Sequence, residues 1–277
     1  MKIQTKSVIK NMLRRLCSML LVLLVAGHVS AMSPSVVQII EEEDTLLVGQ
    51  NQITTIPSTE TTSCEFRPQQ LIVPGALITL GSFGICNGWL VHIKNDVRDK
   101  VRAEKTTKID NYLQYIPLVT HVGLGLTGVK AKHPLRERVA VAATSSIALL
   151  TMTHSIKRIV KESRPDTGQR NSFPSGHTST AFMGAELIRE EYGNAWGAGA
   201  YVLSAGVAYL RLHNDRHWLN DVVAGAGFGI LSARIGYWLL PLEKRLLGWE
   251  KKNTTTMLFP VVNPSDHSFS LAFSYQF

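Results

Sequence analysis

The sequence predicts an all-α fold: a polytopic membrane bundle of five or six transmembrane helices, followed by a short C-terminal tail with a β-hairpin pattern. Charged residues make up 18% of the 277 residues, against about 25% in soluble chains. The apolar residues occur in blocks, several of them close to the roughly 20 residues that cross a bilayer. The mean hydropathy of +0.06 is therefore an average of apolar blocks and polar segments, and the composition excludes a disordered chain.

The net charge of +8, from 29 basic and 21 acidic residues, is compatible with a nucleic acid, an anionic lipid surface or an anionic substrate. Much of this charge lies at the edges of the apolar blocks, where it acts as a topology signal. No nucleic-acid partner is needed to explain it. The three cysteines, Cys17, Cys64 and Cys86, have no metal-ligand spacing and indicate neither a metal site nor a disulfide framework.

The N-terminal segment, residues 1–31, is predicted to be a signal peptide or a retained signal anchor. A basic stretch precedes the apolar run 16–25, and the residues Val29 and Ala31 fit cleavage after Ala31. Residues 32–70 are polar, with an acidic run at 41–44, and predict a linker without a packed core.

Residues 71–242 are predicted to form the membrane-embedded domain. Small residues dominate two of its apolar segments, which lets helix backbones approach closely. One such run, AGAGFG at 224–229, has a phosphate-loop interpretation as an alternative, but no lysine and hydroxyl pair follows it. The candidate spans are 71–93, 112–130, 139–156, 178–192, 195–212 and 218–241.

Residues 243–277 are predicted to be a separate tail. TMLFPVV and FSLAFSYQF alternate roughly between apolar and polar positions on either side of NPSD, which predicts a hairpin. Since a single hairpin leaves its edges unpaired in lipid, we expect this tail on the solvent side of the membrane.

The first of three polar clusters runs from Lys157 to Pro165 at the end of the third good span. Lys157 and Arg164 are seven residues apart and share a helix face, and Pro165 directs Arg164 into an extended exit. Taken alone, two such cations are typical of snorkelling or positive-inside residues.

The second cluster, Ser172 to His177, immediately precedes the span 178–192. Gly176 permits close backbone approach, and the free amides at the start of the following helix make an anion site. Taken alone, the run is equally typical of a helix cap with a histidine nearby.

The third cluster runs from Arg211 to Asp221, between the last two spans. His217 and Asp221 are four residues apart, so on a helix they are neighbours and the carboxylate can hold one imidazole nitrogen. Such a pair is either an oriented nucleophile or base, or a structural hydrogen bond.

Bundle topology places the three clusters at one membrane surface. In an up-and-down bundle the ends of spans three and five and the starts of spans four and six lie on one face. Three cations, two histidines and one carboxylate are therefore expected together, a set that suits a dianionic phosphate.

The order Lys-x6-Arg-Pro, Pro-Ser-Gly-His, Arg-x5-His-x3-Asp resembles the type-two phosphatidic acid phosphatase superfamily, which also includes the vanadium haloperoxidases. The resemblance covers roughly residues 112–241, with all three motifs at the family spacing. One departure is Leu210, where the family usually has a serine before the arginine.

The resemblance implies a role for each motif residue and no metal or cofactor. His217 would attack phosphorus to give a phosphohistidine, oriented by Asp221. His177 would protonate the leaving oxygen and then activate water. Lys157, Arg164 and Arg211 would clamp the phosphate, assisted by the backbone around Ser175 and Gly176. Fixed cations and in-line positioning are what phosphoryl transfer requires.

Within the superfamily, the stretch SFPSGHTSTAF, the polar leader and the signal-like N-terminus resemble the branch that includes bacterial lipid A phosphatases. The implied substrate is an envelope lipid phosphate, first the 4′ and second the 1 phosphate of lipid A, at the periplasmic face of the inner membrane. Undecaprenyl pyrophosphate, phosphatidylglycerophosphate and phosphatidic acid are the alternatives.

The basic loops and the signal segment predict opposite topologies. Loops 130–138 and 244–252 are basic and predict the cytoplasm, which puts the motif clusters in the periplasm. A cleaved signal followed by six crossings would put them in the cytoplasm. We therefore expect 71–93, which contains Pro74, to be re-entrant or interfacial; the alternative is that residues 1–70 stay inside.

Overall fold

The computed structural model describes residues 66–103, 106–249, 255–263 and 268–276. The predicted signal segment 1–31 and almost all of the linker 32–70 lie outside the described residues. The chain divides into two compact units, the first ending at Leu240 and the second beginning at Pro241. The domain boundaries read from the sequence stay predictions.

The described part of the first unit is built from α-helices, and its connections include a loop, residues 161–175, between α5 and α6. Single-turn 3₁₀ helices occur at Pro68–Leu71 and Leu124–Leu126. The α-helices, the last of which continues into the second unit, are α1 (Ile72–Cys86), α2 (Gly88–Val101), α3 (Asp110–Leu113), α4 (Ile116–Gly123), α5 (Leu135–Val160), α6 (Gly176–Tyr192), α7 (Asn194–His213) and α8 (Leu219–Leu246).

Two helices among the described residues, α5 and α8, are long and apolar enough to cross a membrane. They coincide with the predicted spans 139–156 and 218–241. The helices α6 and α7 occupy the predicted spans 178–192 and 195–212, but α6, with 17 residues, is shorter than α5 and α8, and α7, with 20 residues, is not apolar enough. The prediction of five or six spans is therefore not confirmed.

The predicted span 112–130 is not a single helix. In its place lie the end of α3, the eight-residue α4 and a 3₁₀ turn. Pro117 begins α4, where its missing amide proton is tolerated only in a first turn. An eight-residue helix is about 12 Å long, too short to cross the hydrocarbon.

The segment 71–93 is broken at Asn87 into α1 and α2, which are bent by 92° relative to each other. The Asn87 side chain accepts a hydrogen bond from the Trp89 amide and so caps α2. A bend of this size suits a re-entrant segment and also a broken span. If the bent pair is one span, the described residues contain three candidates.

Helix α8 packs closely against its neighbours because of the small residues predicted to allow it. A Cβ atom on Gly225 would lie 2.8 Å from the carbonyl oxygen of Ser175, and one on Gly229 would lie 2.8 Å from the Met183 amide nitrogen. Those distances leave no room for a methyl group. The start and middle of α6 thus lie directly against α8.

The second unit contains an antiparallel pair of strands, β1 (Thr255–Asn263) and β2 (Ser268–Gln276). Their register pairs Thr255 with Gln276 at one end and Asn263 with Ser268 at the other. The strands coincide with the two alternating runs of the sequence.

Candidate functional site

The three polar clusters lie together at one end of the helical unit. The first follows α5, the second precedes α6, and the third joins α7 to α8. The Ser172 amide donates to the Glu162 carbonyl at 2.9 Å, which joins the first cluster to the second. The Ser175 amide donates to the Asp221 carbonyl at 3.0 Å, which joins the second to the third.

His217 and Asp221 face each other in the interior of this end. His217 Nδ1 lies 3.4 Å from Asp221 Oδ2, and the residues are 4% and 0% exposed. The same carboxylate oxygen accepts the Ser172 hydroxyl and, at 2.9 Å, the Trp218 amide. Since Nδ1 faces the carboxylate, Nε2 is the ring nitrogen left for chemistry.

The imidazole of His217 is neutral at pH 7 in this environment. Burial lowers the pKa of His217 well below 6.5, and the positive charges of Arg211 and Lys157 lower it further. A neutral ring has a free lone pair, which is the form that a nucleophile requires.

His177 lies at the first turn of α6 and contacts a residue of α3. Its Nε2 donates to Asn111 Oδ1 at 2.8 Å, so Nδ1 is the acceptor nitrogen of the neutral ring. Burial, followed by the charge of Arg211, lowers the pKa of His177 to about 4. The free protein thus holds two neutral histidines here at pH 7.

Lys157 holds the loop that leads into α6. Its Nζ donates to the carbonyls of Asn171 at 2.7 Å, Ser172 at 3.3 Å and Pro174 at 2.6 Å. These acceptors match the three donors of an ammonium group. Lys157 therefore brings its charge to the site while it fixes the segment 171–174.

The two arginines differ in what they bind. Arg164 Nε donates to Asn171 Oδ1 at 2.8 Å and has no ion-pair partner among the described residues. Arg211 is 5% exposed and forms an ion pair through Nη1 with the equally buried Asp110. The Nε of Arg211 is buried without a hydrogen-bond partner in the described part of the chain.

The N-terminus of the 17-residue helix α6 opens into the site. Ser175 precedes the helix, but its hydroxyl contacts the Thr178 hydroxyl at 3.0 Å and does not cap the helix amides. The first-turn amides, which start at Gly176, have no intrahelical acceptor. With the helix dipole, they provide partial positive charge for an anion.

Two site residues that the sequence reasoning missed are Asp110 and Asn111. Asp110 forms an ion pair with Arg211, which is 101 residues later in the chain. Asn111 contacts His177, which is 66 residues later. Both precede a segment that was read as a membrane span, and no local spacing links them to the motifs. Only the tertiary fold reveals them.

Glu162 is a third missed residue, and the sequence did carry a signal for it. It is an acid placed between the cations of the first cluster. Its carboxylate pairs with Lys94 at 2.9 Å and accepts from Asn220 at 3.0 Å. Burial, followed by the charge of Asp221, raises the pKa of Glu162 to about 7.

Helix α2 supports the site from outside. Arg98 binds Asp215 at 2.6 Å and donates to the Pro165 carbonyl at 3.2 Å. Its guanidinium also lies over the Trp218 ring, 5.3 Å from the centroid. Arg98 of α2 therefore braces the loops that carry the first and third clusters.

The fold and the site together combine apolar helices with a group of cations and an oriented, neutral histidine. Among the described residues, no three His, Cys, Asp or Glu side chains are grouped closely enough to hold a metal ion. Metal independence itself stays a prediction.

Residues 139–245 match the model of the PAP2 superfamily, and this region resembles a PAP2 superfamily domain. All three motif clusters lie inside it. The resemblance drawn from their order and spacing is confirmed, over a region that begins later than the predicted residue 112.

The chain is similar to a lipid A 1-phosphatase of Porphyromonas gingivalis, with 36% identity over 140 residues. The match covers 49% of this chain and 32% of that protein, so the chain spans about a third of the relative's length. A crystal structure of a transmembrane PAP2 type phosphatidylglycerolphosphate phosphatase from Bacillus subtilis matches with 15% identity and a TM-score of 0.43, over 65% of this chain and 98% of that one.

Proposed function

We propose that this protein is a membrane phosphatase that hydrolyses a phosphate monoester of an envelope lipid through a phosphohistidine. The observation that carries the proposal is the meeting of the His217–Asp221 pair with three cations and the N-terminus of α6. Binding an anion needs only the cations. A buried neutral histidine aligned by a carboxylate adds a nucleophile, which supports an enzyme over a binding protein.

In the first step, Nε2 of His217 attacks phosphorus and forms a P–N bond while the bond to the lipid oxygen breaks. Asp221 accepts a hydrogen bond from Nδ1–H and stabilises the positive charge that develops on the ring. The leaving oxygen takes a proton from His177, whose depressed pKa rises when the dianionic phosphate binds beside it. Arg164, Arg211 and the α6 amides stabilise the equatorial oxygens.

In the second step, His177 accepts a proton from water, and the water oxygen attacks phosphorus as the P–N bond breaks. The products are inorganic phosphate and neutral His217. Arg211 retains its ion pair with Asp110 through Nη1 and presents its unpartnered Nε and remaining donors to the phosphate. Asp110 thereby holds the arginine in place.

For the substrate we propose lipid A. The sequence resemblance placed the 4′ phosphate first, and the Porphyromonas gingivalis relative carries the 1 position in its name. The proposal therefore includes both positions. Loss of either phosphate lowers the negative charge of the membrane surface and should weaken binding of cationic peptides.

For the location we propose the inner membrane, with the site at the periplasmic face. The basic loop 130–138 supports this orientation, because short basic loops favour the cytoplasm and α5 leads from that loop to the site. If α1 and α2 form one broken span, they provide the crossing between residues 60 and 133. Reporter fusions at residues 60 and 133 test it. Periplasm at 60 and cytoplasm at 133 are expected, whereas cytoplasm at both contradicts a cleaved signal.

The direct test is phosphate release by the purified full chain from lipid A in detergent, with mass spectrometry of the product. We expect the loss of one phosphate, located by fragmentation of the disaccharide. No release from lipid A together with release from phosphatidic acid would contradict the substrate. Release from neither lipid would contradict the proposed activity.

A further inference from the structure

A basic cavity of about 550 Å³ adjoins the phosphate site on the side of α5. This volume falls within the range of small-ligand sites, about 300–1,000 Å³. It shares Lys157 and Asn171 with the site described above. The lining residues are His154, Lys157, Arg158, Lys161, Arg170 and Asn171.

Three of the cations that line this cavity differ from the paired basic residues around the site, because their side chains have no partner. The side chains of Arg158, Lys161 and Arg170 form no ion pair or hydrogen bond in the described part of the chain. By contrast, the basic residues on the α2 and α8 side are paired: Lys94 with Glu162, Arg98 with Asp215, and Arg216 with Asp166.

Local structure directs these cations into one concavity. Arg158 lies in the last turn of α5, and Lys161 ends that helix with a φ of 52°. This left-handed residue turns the chain sharply towards the loop that returns with Arg170 and Asn171. No carboxylate lines the cavity, so its positive charge is not neutralised from within.

We propose that this cavity is a subsite for a second phosphate on the same lipid substrate. The inference rests on the proposed function, because a phosphatase for lipid A meets a substrate with two phosphates. One phosphate occupies the centre at His217 while the other is bound by Arg158, Lys161 and Arg170. Arginine fits a phosphate through paired donors, and the subsite selects lipids with two phosphates over lipids with one.

The test compares two lipids that differ only in the second phosphate, bisphosphorylated and monophosphorylated lipid A, in a neutral detergent. Binding is measured in the full chain carrying His217→Ala, so that neither lipid is turned over. The variant adds Arg158→Gln, Lys161→Gln and Arg170→Gln. We expect its affinity for the bisphosphorylated lipid to fall roughly tenfold or more, and its affinity for the other lipid to change less than about threefold.

Two controls separate the subsite from general attraction to an anionic surface. Lys100→Gln with Arg102→Gln removes two exposed charges near the same end, outside the cavity. It should leave the preference between the two lipids unchanged. Arg158→Lys keeps the charge and should retain most of the affinity. Melting temperatures in detergent confirm that each variant is folded.

The outcomes distinguish this inference from the proposed function. An equal fall in affinity for both lipids, or the same fall in the Lys100/Arg102 control, overturns the subsite. If the preference is lost as expected but the protein without His217→Ala releases no phosphate, the subsite stands and the phosphatase proposal falls. If phosphate is released but the preference survives the substitutions, the phosphatase stands and the subsite falls.

Discussion

Two clusters of charge inside the helical unit differ in their balance. The first, the balanced network, comprises Glu186, Arg189 and Glu190 of α6 with Arg234 of α8. Glu186 lies 2.7 Å from Arg189 and 2.7 Å from Arg234, and it also accepts the Tyr201 hydroxyl. Two negative and two positive charges leave this network neutral.

The second cluster, the site end, has an excess of positive charge. Its cations are Lys94, Lys157, Arg164 and Arg211, and the carboxylates beside them are Asp110, Glu162 and Asp221. The free amides at the start of α6 add further partial positive charge. A neutral network stabilises packing without a ligand, whereas we propose that an anion neutralises the excess charge of the site end. This difference separates a structural from a functional role for buried charge.

The largest expected effect is on turnover at the site end. His217→Ala should lower phosphate release about 10³-fold or more, because the nucleophile is lost, while the melting temperature changes little. The measurement is release from a lipid phosphate in detergent. His92→Ala, at an exposed histidine of α2, is the matched control and should retain activity. Full activity in His217→Ala would contradict the mechanism.

The next effect concerns the residues that orient His217. Asp221→Asn should lower kcat by about 10²-fold or more, since the amide stabilises neither the Nδ1 proton nor the positive ring. Ser172→Ala removes one donor to the same carboxylate and should cost less, about tenfold. Steady-state kinetics check both. A fall of equal size in the two variants would show that the serine does more than hold Asp221.

In the balanced network the expected loss is of stability and not of turnover. Glu186→Gln leaves two arginines facing one carboxylate, which should lower the free energy of unfolding by about 3 kcal/mol. Glu190→Gln, at a partly exposed partner, should cost under about 1 kcal/mol. Thermal unfolding in detergent measures both, and activity per folded molecule should be unchanged. Loss of turnover in the folded Glu186→Gln variant would contradict a purely structural role for the balanced network.

The smallest effect is the pH dependence of stability. The pKa of His177 is about 4 in the folded protein and near 6.5 when unfolded. Between these values the unfolded chain binds a proton that the folded one does not, so stability falls as pH drops from 6.5 towards 4. The melting temperature should therefore fall less between pH 7.5 and pH 5 in the His177→Gln variant than in the unsubstituted protein. An identical loss would contradict the lowered pKa.

The sequence predicted those parts of the molecule whose cause is local. The helices α5 and α8 follow from long apolar runs. His217 and Asp221 face each other as their spacing predicted, although His217 lies two residues before α8 begins and is not part of that helix. The prediction of 112–130 as a single helix was wrong. The segment is apolar enough for a span, but Pro117 is tolerated only in a first turn and so a new helix begins there. Asp110 and Asn111 had no local signal, since their partners lie far along the chain. Composition and local spacing do not predict contacts between residues that are far apart in the chain.

In the proposed mechanism, His217 receives a phosphoryl group from the lipid. Trapping that group on the protein is the most direct measurement. The full chain and its His177→Ala and His217→Ala variants are mixed with ³²P-labelled lipid phosphate and quenched at alkaline pH, where phosphohistidine survives. The label should be found on the unsubstituted protein and be absent from His217→Ala. In His177→Ala both formation and hydrolysis of the intermediate are slowed, so label should form more slowly there and persist longer. Equal label on the His217→Ala protein would contradict the assignment of His217 as the nucleophile.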